Sequence, residues 1–366
     1  VSGSYSVVCL SEKFPDRLII IRKSSPLVIG VGKNEMFVSS DAIAFHGKTD
    51  QVSFVPDNSF GFLFENKIEI YNFSGKKIEA KIETLKFKFD PASRGTFDHF
   101  MLKEIYEQPL AIERTIALLR ERDKKGFWKA SGIDSKIIKN LESLDIVAAG
   151  TSWHAGLISR FFFEEICNIP VYVGIASEYR FEPSIYKKNN TVLFISQSGE
   201  TADTLEALRM VKSKNEFVLG ITNVETSTIV READAVFLTD AGPEIAVAST
   251  KAFTAQVATL YFLANRIGVE KGLISREQFE HRLEHLHNTS RIMQLAIDKY
   301  EKEIKETIAK SLSLHKGFIF LGRNICYPLA REAALKLKEI SYVFAEGHAA
   351  GELKHGALAI IEKDFP

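Results

Sequence analysis

The spacing of apolar positions changes twice along the chain. Through residues 1 to about 88 they come in short runs bounded by turn residues, as in Arg17-Leu18-Ile19-Ile20-Ile21-Arg22 and Leu27-Val28-Ile29-Gly30. Lys67-Ile68-Glu69-Ile70-Tyr71-Asn72-Phe73 alternates strictly and ends in Ser74-Gly75. Runs of this length and period predict strands, so this region reads as β-rich. Asp90-Pro91-Ala92-Ser93-Arg94-Gly95 is polar, holds Pro and Gly, and predicts a linker. Helical spacing then runs from Glu104 to Arg122, with an early interruption expected at Pro109.

From residue 145 short apolar runs alternate with amphipathic stretches. Strands are predicted at Asp145–Ala149, Val171–Val173, Thr191–Ile195, Phe217–Ile221 and Ala235–Leu238. A loop at Gly150-Thr151-Ser152 leads into a helix to about Cys167, and further helices are predicted near Asp203–Lys212 and Ser249–Ile267. Gly268 is read as the C′ glycine of the last of these. Strands that alternate with helices imply an α/β fold with a doubly wound parallel sheet. After a helical stretch at about 276–312, Gly317–Leu321 reads as another strand. Ile319-Phe320-Leu321-Gly322 echoes Ile146-Val147-Ala148-Ala149-Gly150, and Ala350-Gly351-Glu352-Leu353-Lys354 echoes Ala176-Ser177-Glu178-Tyr179-Arg180. Two copies of one module are implied, the second having one strand, its helix and the apolar run Leu358–Ile361 before it stops. The expected divisions are 1–88, a linker at 89–108, a first module at 109–270, and connecting helices with an incomplete second module at 271–366.

Composition narrows the function classes. With 366 residues, 45% hydrophobic and 26% charged, the chain has core material for two to three domains. Forty-seven basic residues balance 47 acidic ones. That gives no support to a nucleic-acid or membrane-surface partner, and an anionic ligand would have to be held by local geometry. Cys9, Cys167 and Cys326 are far apart, so neither a disulfide framework nor a zinc site is expected, which fits a reducing cytoplasm. The first residues carry no signal-peptide pattern, and the charge-free stretch Ala252–Asn265 is too short to span a bilayer. No phosphate-loop or dinucleotide fingerprint is present, and no metal or cofactor is expected.

The chemistry-bearing feature is Ser196-Gln197-Ser198-Gly199-Glu200-Thr201, between a buried strand and a helix. Unpaired amides at a helix start bind phosphate, and Ser and Thr hydroxyls add neutral donors. The same residues could instead cap the helix, but a carboxyl strand end in an open α/β sheet favours a ligand. Gly150-Thr151-Ser152 and Ala248-Ser249-Thr250-Lys251 offer similar turns. Glu332, Lys336 and Glu339 fall at i, i+4 and i+7 on one helix face. A carboxylate there could shuttle a proton; by spacing alone a solvated stripe is the favoured reading. His355, in a Gly-flanked segment, is a further proton-transfer candidate. His281, His285 and His287 read as solvated positions on a charged helix.

Five segments together resemble glutamine–fructose-6-phosphate aminotransferases, a family of sugar isomerase (SIS) proteins. They are Ser-Gln-Ser-Gly-Glu-Thr-Ala-Asp-Thr (196–204), Val-Ala-Ser-Thr-Lys-Ala-Phe-Thr (247–254), Lys-Glu-Ile-Tyr-Glu-Gln-Pro (103–109), Leu-Lys-Leu-Lys-Glu-Ile-Ser-Tyr (335–342) and Gly-Glu-Leu-Lys-His-Gly (351–356). Residues 1–88, including Ser25–Gly30 and Ser40-Asp41, resemble the later part of the family's Ntn-type glutaminase domain. The resemblance implies that fructose 6-phosphate and glutamine become glucosamine 6-phosphate and glutamate, the committed step of hexosamine synthesis. By motif position it gives the phosphate to Ser196, Gln197, Ser198, Thr201 and Thr151, and the sugar to Ser152, Val247 and Ser249. Glu339 would transfer the C1–C2 proton with support from Lys336. His355 would assist ring opening in a neighbouring subunit's site, which implies a homodimer. The family's N-terminal cysteine and C-terminal Schiff-base lysine have no counterpart here, so a longer parent chain is expected and this stretch should not by itself hydrolyse glutamine. Alternatives are a stand-alone SIS phosphosugar isomerase or deglycase, against which the β-rich first 88 residues argue, and a non-catalytic phosphosugar sensor.

Overall fold

The computed structural model describes residues 3–40, 42–45, 47–84, 94–182 and 188–361. Asp41 of the Ser40-Asp41 segment and most of the expected linker, residues 90–93, lie outside the described residues. The chain divides into two compact units, Val1–Ser93 and Arg94–Pro366.

Among the described residues the first unit is built of β-strands, with one 3₁₀ turn at Ala42–Phe45. Strands β1 (Tyr5–Ser11), β2 (Phe14–Lys23), β3 (Val28–Val31), β4 (Met36–Ser39), β5 (Gln51–Phe54), β6 (Ser59–Phe64), β7 (Lys67–Asn72), β8 (Lys77–Ile78) and β9 (Glu83–Thr84) form two sheets. Their orders are β1-β2-β6-β7-β8 and β4-β3-β5-β9, and neighbours are antiparallel. Ile20, Leu63 and Ile70 of the first sheet meet Leu27, Ile29 and Val55 in one core. This is the alternation of a sheet with one face buried.

The second unit opens with α1 (Phe100–Lys124), α2 (Phe127–Ala130) and α3 (Ser135–Lys139). The interruption expected at Pro109 does not occur, since α1 runs through it. Proline leaves the Ile105 carbonyl without its helical donor, and Gln108 Nε2 supplies one at 3.1 Å. The α/β layer follows as β10 (Ser143–Ala148), α4 (Gly150–Cys167), β11 (Val171–Ile175), α5 (Ala176–Tyr179), β12 (Asn190–Ile195), α6 (Ala202–Ser213), β13 (Phe217–Thr222), α7 (Thr228–Glu232), β14 (Ala235–Leu238) and α8 (Lys251–Glu270). The sheet order is β11-β10-β12-β13-β14, with every pair parallel. Ile146, Leu193, Ile195 and Ile221 point into one core, shared with α1, α4 and α8. Val147, Val192, Phe194 and Val218 point into the other, with α6 and α7. Burial on both faces explains why these strands read as unbroken apolar runs.

Two boundaries differ from expectation. Gly150 to Ser152 are not a loop but the first turn of α4, with Gly150 at φ +54°. Gly268 lies inside α8, and Gly272 (φ +71°) is the residue that ends it. A Cβ on Gly268 would come 2.9 Å from Ile166 Cγ2, so this glycine serves helix packing.

Helix α9 (Arg276–Glu303) opens on a capping box between Ser275 and Gln278 and passes through a π turn at Ile304–Ile308 into α10 (Ala309–Leu312). The second copy then consists of β15 (Gly317–Gly322), α11 (Cys326–Ser341) and β16 (Phe344–Ala349), with β15 and β16 parallel. The internal echo is structural: Ala176 is the first residue after β11, and Ala350 the first after β16. The second strand of this copy is β16; the apolar run Leu358–Ile361 instead contributes to a 3₁₀ turn, Ala357–Ile360. Among the described residues no helix is long and apolar enough to cross a membrane.

Strand β16 lies so close to α11 that a Cβ on Gly347 would sit 2.5 Å from the backbone N and Cα of Arg331. Backbone cannot rotate away. Gly347→Ala is therefore expected to cost about 1–3 kcal/mol, read as a lower urea midpoint with an unchanged slope.

Candidate active site

The parallel sheet has the order 2-1-3-4-5, so its topological switch point lies between β10 and β12, where open α/β sheets bind ligands. Ala148 of β10 stands opposite Ile195 of β12. The next residues on these two strands lead to Thr151 and to Ser196, respectively. Both hydroxyl-bearing turns therefore leave the carboxyl edge of the sheet side by side in strand order.

The 196–201 turn is pinned from behind. The Gln197 carbonyl accepts from Asn223 N at 3.0 Å and from Thr222 Oγ1 at 3.2 Å, and the Gly199 carbonyl accepts from Ile229 N at 3.2 Å. Glu200 turns back to accept from Thr228 N and Oγ1 at 2.6 and 2.9 Å. Gly199 has φ +67°, and a Cβ there would lie 2.2 Å from Ser227 Oγ. Only glycine fits this approach.

The hydroxyls are arranged so that their lone pairs face inward. Ser196 Oγ accepts from Gly199 N at 3.0 Å, Ser198 Oγ accepts from Glu200 N at 3.1 Å, and Ser196 Oγ lies 2.9 Å from Thr201 Oγ1. Thr201 occupies the N-cap position of α6, yet its side chain caps nothing. With Ser196 donating to Thr201, the O–H groups of Ser198 and Thr201 remain to donate outward. Gln197 is half-buried and its side chain makes no hydrogen bond among the described residues. The arrangement offers neutral donors at the positive end of a helix, which suits an anion.

A second cluster joins the two copies. Thr151 and His154, on one face of α4, meet Glu332, Lys336 and Glu339 on one face of α11. Thr151 Oγ1 donates to Glu332 Oε1 at 3.0 Å, and His154 Nδ1 lies 2.6 Å from Glu332 Oε2. Lys336 Nζ lies 2.8 Å from Thr151 Oγ1, 3.3 Å from Glu332 Oε1 and 2.8 Å from Glu339 Oε2. Glu332 and His154 are each only 6% exposed, which overturns the solvated stripe favoured by spacing alone. The Arg331 guanidinium sits 4.5 Å over the Trp153 ring. The contribution of His154 was not anticipated; the readable signal is its place one helical turn beyond Thr151.

The remaining candidates fall elsewhere. Ser152 is buried in α4. Ser249 donates to Glu244 Oε2 at 2.7 Å, and Glu244 Oε1 also accepts from Thr250 N and Ala252 N, holding the start of α8. Val247 is 84% exposed. His355 is exposed, in the turn after β16, and its side chain joins none of the networks above. All three cysteines are free, and burial pushes the Cys167 thiol up to about 12. Among the described residues no group of three or more metal-ligating side chains is present.

The SIS-domain family matches residues 137–266 and 311–366, which brackets both copies of the module. The chain belongs to the SIS-domain family. It is 43% identical over 369 residues to a glutamine–fructose-6-phosphate aminotransferase of Methanosarcina acetivorans, covering 100% of this chain and 59% of that protein. It is similar in structure to the C-terminal domain of glucosamine–fructose-6-phosphate aminotransferase from Francisella tularensis. The TM-score is 0.69 at 41% identity, covering 75% of this chain and 76% of that one. A glucosamine-6-phosphate deaminase from Thermotoga maritima is similar at a TM-score of 0.57 and 25% identity, over 73% and 75% of the two chains. The chain thus spans about 59% of the length of the curated relatives it matches. In SIS-domain terms, the 196–201 turn and the α4 turn belong to the first copy, and Glu332, Lys336 and Glu339 belong to the second.

Gly199→Ala adds a positive-φ penalty to a clash with Ser227, about 3 kcal/mol together. Thermal unfolding, followed by calorimetry, should shift down by several degrees.

Proposed function

We propose that this chain carries the sugar-converting chemistry of a glutamine–fructose-6-phosphate aminotransferase, yielding glucosamine 6-phosphate and, from glutamine, glutamate. The carrying observation is the meeting of a carboxylate–ammonium pair, Glu339 and Lys336, with Thr151 at the switch point where the hydroxyl turn also lies. The relatives' names support the same reading. Ser196, Gln197, Ser198, Thr201 and Thr151 hold the phosphate, and Ser152, Val247 and Ser249 line the sugar. Ammonia adds to C2 of the open-chain ketose and water leaves, giving an imine. Glu339 then takes a proton from C1 while the imine nitrogen gains one, giving an enolamine; Glu339 returns its proton to C2 and O1 loses its own, so that a 2-amino aldose results. Lys336 Nζ, 2.8 Å from Glu339 Oε2, holds the carboxylate in place for this step. His355 assists ring opening across a homodimer. Glutamine is the ammonia source, and the reaction takes place in the cytoplasm.

In the intact enzyme, Glu339→Gln is expected to lower glutamine-dependent formation of glucosamine 6-phosphate by about 100-fold or more while fructose 6-phosphate still binds. Unchanged turnover would remove Glu339 from the reaction. Replacing Ser198 and Thr201 together by Ala should weaken fructose 6-phosphate binding by about 10-fold to 100-fold, measured by calorimetry. Equal affinity would move the phosphate elsewhere.

A further inference from the structure

Between β14 and α8 the chain runs from Thr239 to Thr250 without regular structure, and its early polar groups are tied down one by one. Asp240 N donates to Thr115 Oγ1 of α1 at 3.0 Å. Asn223, at the end of β13, accepts from Ala241 N at 2.9 Å and donates to the Gly242 carbonyl at 2.7 Å. Beyond Gly242 the hold passes to Glu104 of α1. A single oxygen, Glu104 Oε1, accepts from two successive amides, Ile245 N at 2.6 Å and Ala246 N at 3.1 Å. Glu244 closes the base of the arch by capping α8, and one turn further along α1 Glu107 pairs with Lys251 Nζ at 2.6 Å. Val247 follows immediately, its side chain 84% exposed, with Ala248 fully buried behind it.

Glu104 is 2% exposed, and its second oxygen, Oε2, has no partner among the described residues. Burial raises its pKa above the ordinary carboxylate range, against the lowering effect of the two amides. An acidic side chain in that position is an expensive choice for simple packing. Its one structural return is the fixed course of Ile245 and Ala246, and hence the place from which Val247 and Ser249 project.

We infer that Glu104 is a positioning residue for the sugar-lining segment, holding the Ile245 and Ala246 amides so that Val247 and Ser249 present a fixed wall to the hexose phosphate. The inference rests on the sugar-phosphate reading above. Glu104 touches no substrate; it acts through the backbone, and its loss weakens binding of the sugar in ground state and transition state alike.

The test uses the intact enzyme with Glu104→Ala and Glu104→Gln. The glutamine carbonyl can still accept from both amides, so Glu104→Gln should keep KM for fructose 6-phosphate within about 2-fold of the parent. Glu104→Ala should raise KM about 10-fold with kcat within about 2-fold, and amide hydrogen exchange at Ile245 and Ala246 should accelerate. If the Ala variant does not fold, Glu104→Asp keeps the charge but withdraws the oxygen, and the same KM rise is expected. Faster exchange with unchanged KM overturns the inference, as does exchange that stays slow in every variant. A loss of kcat alone also overturns it. A parent enzyme that neither binds nor converts fructose 6-phosphate overturns the functional reading and the sugar role with it, while the exchange data still show whether Glu104 holds the two amides.

Discussion

The site depends on a backbone turn that is rigid before any ligand arrives. Residues 196–201 are fastened to the β13–α7 connection through the carbonyls of Gln197 and Gly199 and the Glu200 carboxylate. Gly199 permits the contact distance that this requires. Within the turn, the Gly199 and Glu200 amides take up acceptor capacity on Ser196 and Ser198, which leaves donor capacity. An anion meeting this turn finds its partners already oriented, so little ordering entropy is lost on binding. A cationic side chain would attract an anion more strongly at long range but would not fix its direction so closely.

The second constraint is that the polar cluster at the switch point is built from both copies of the module. Helix α4 brings Thr151 and His154, and α11 brings Glu332, Lys336 and Glu339. Glu332 is the hinge of this arrangement, since it binds Thr151, His154 and Lys336 at once. Breaking a buried pair of this kind leaves an uncompensated charge, at a cost of about 3–5 kcal/mol. The docking of the helices and the placing of Lys336 and Glu339 are therefore one structural event.

Much of the fold was readable from the pattern of apolar residues. The three central parallel strands, β10, β12 and β13, are buried on both faces and so stand out as apolar runs between turn signals. β16 was not readable, because Phe344-Ala345-Glu346-Gly347-His348-Ala349 carries a charge, a histidine and a glycine and shows no clean alternation. The nearby run at Leu358–Ile361 was the more strand-like sequence and yet forms a 3₁₀ turn. By position Gly268 reads as a helix end, because a glycine in that place often is one; its role, admitting Ile166, shows only once α4 and α8 are packed. At the site, the hydroxyl turn was legible because its residues are consecutive. The His154–Glu332 pair spans 178 residues, and no local pattern could join them. The role of Glu104 is hidden for the same reason: it looks like one more acidic surface residue until its backbone partners, 141 and 142 residues away, are known.

A crystal structure of the protein with fructose 6-phosphate bound tests the central claim most directly. The account places the phosphate at the start of α6, within about 3 Å of the Ser198 and Thr201 hydroxyls, with the turn in the conformation described here. A phosphate bound at another strand end, with Ser198 and Thr201 donating only to the protein itself, would contradict it.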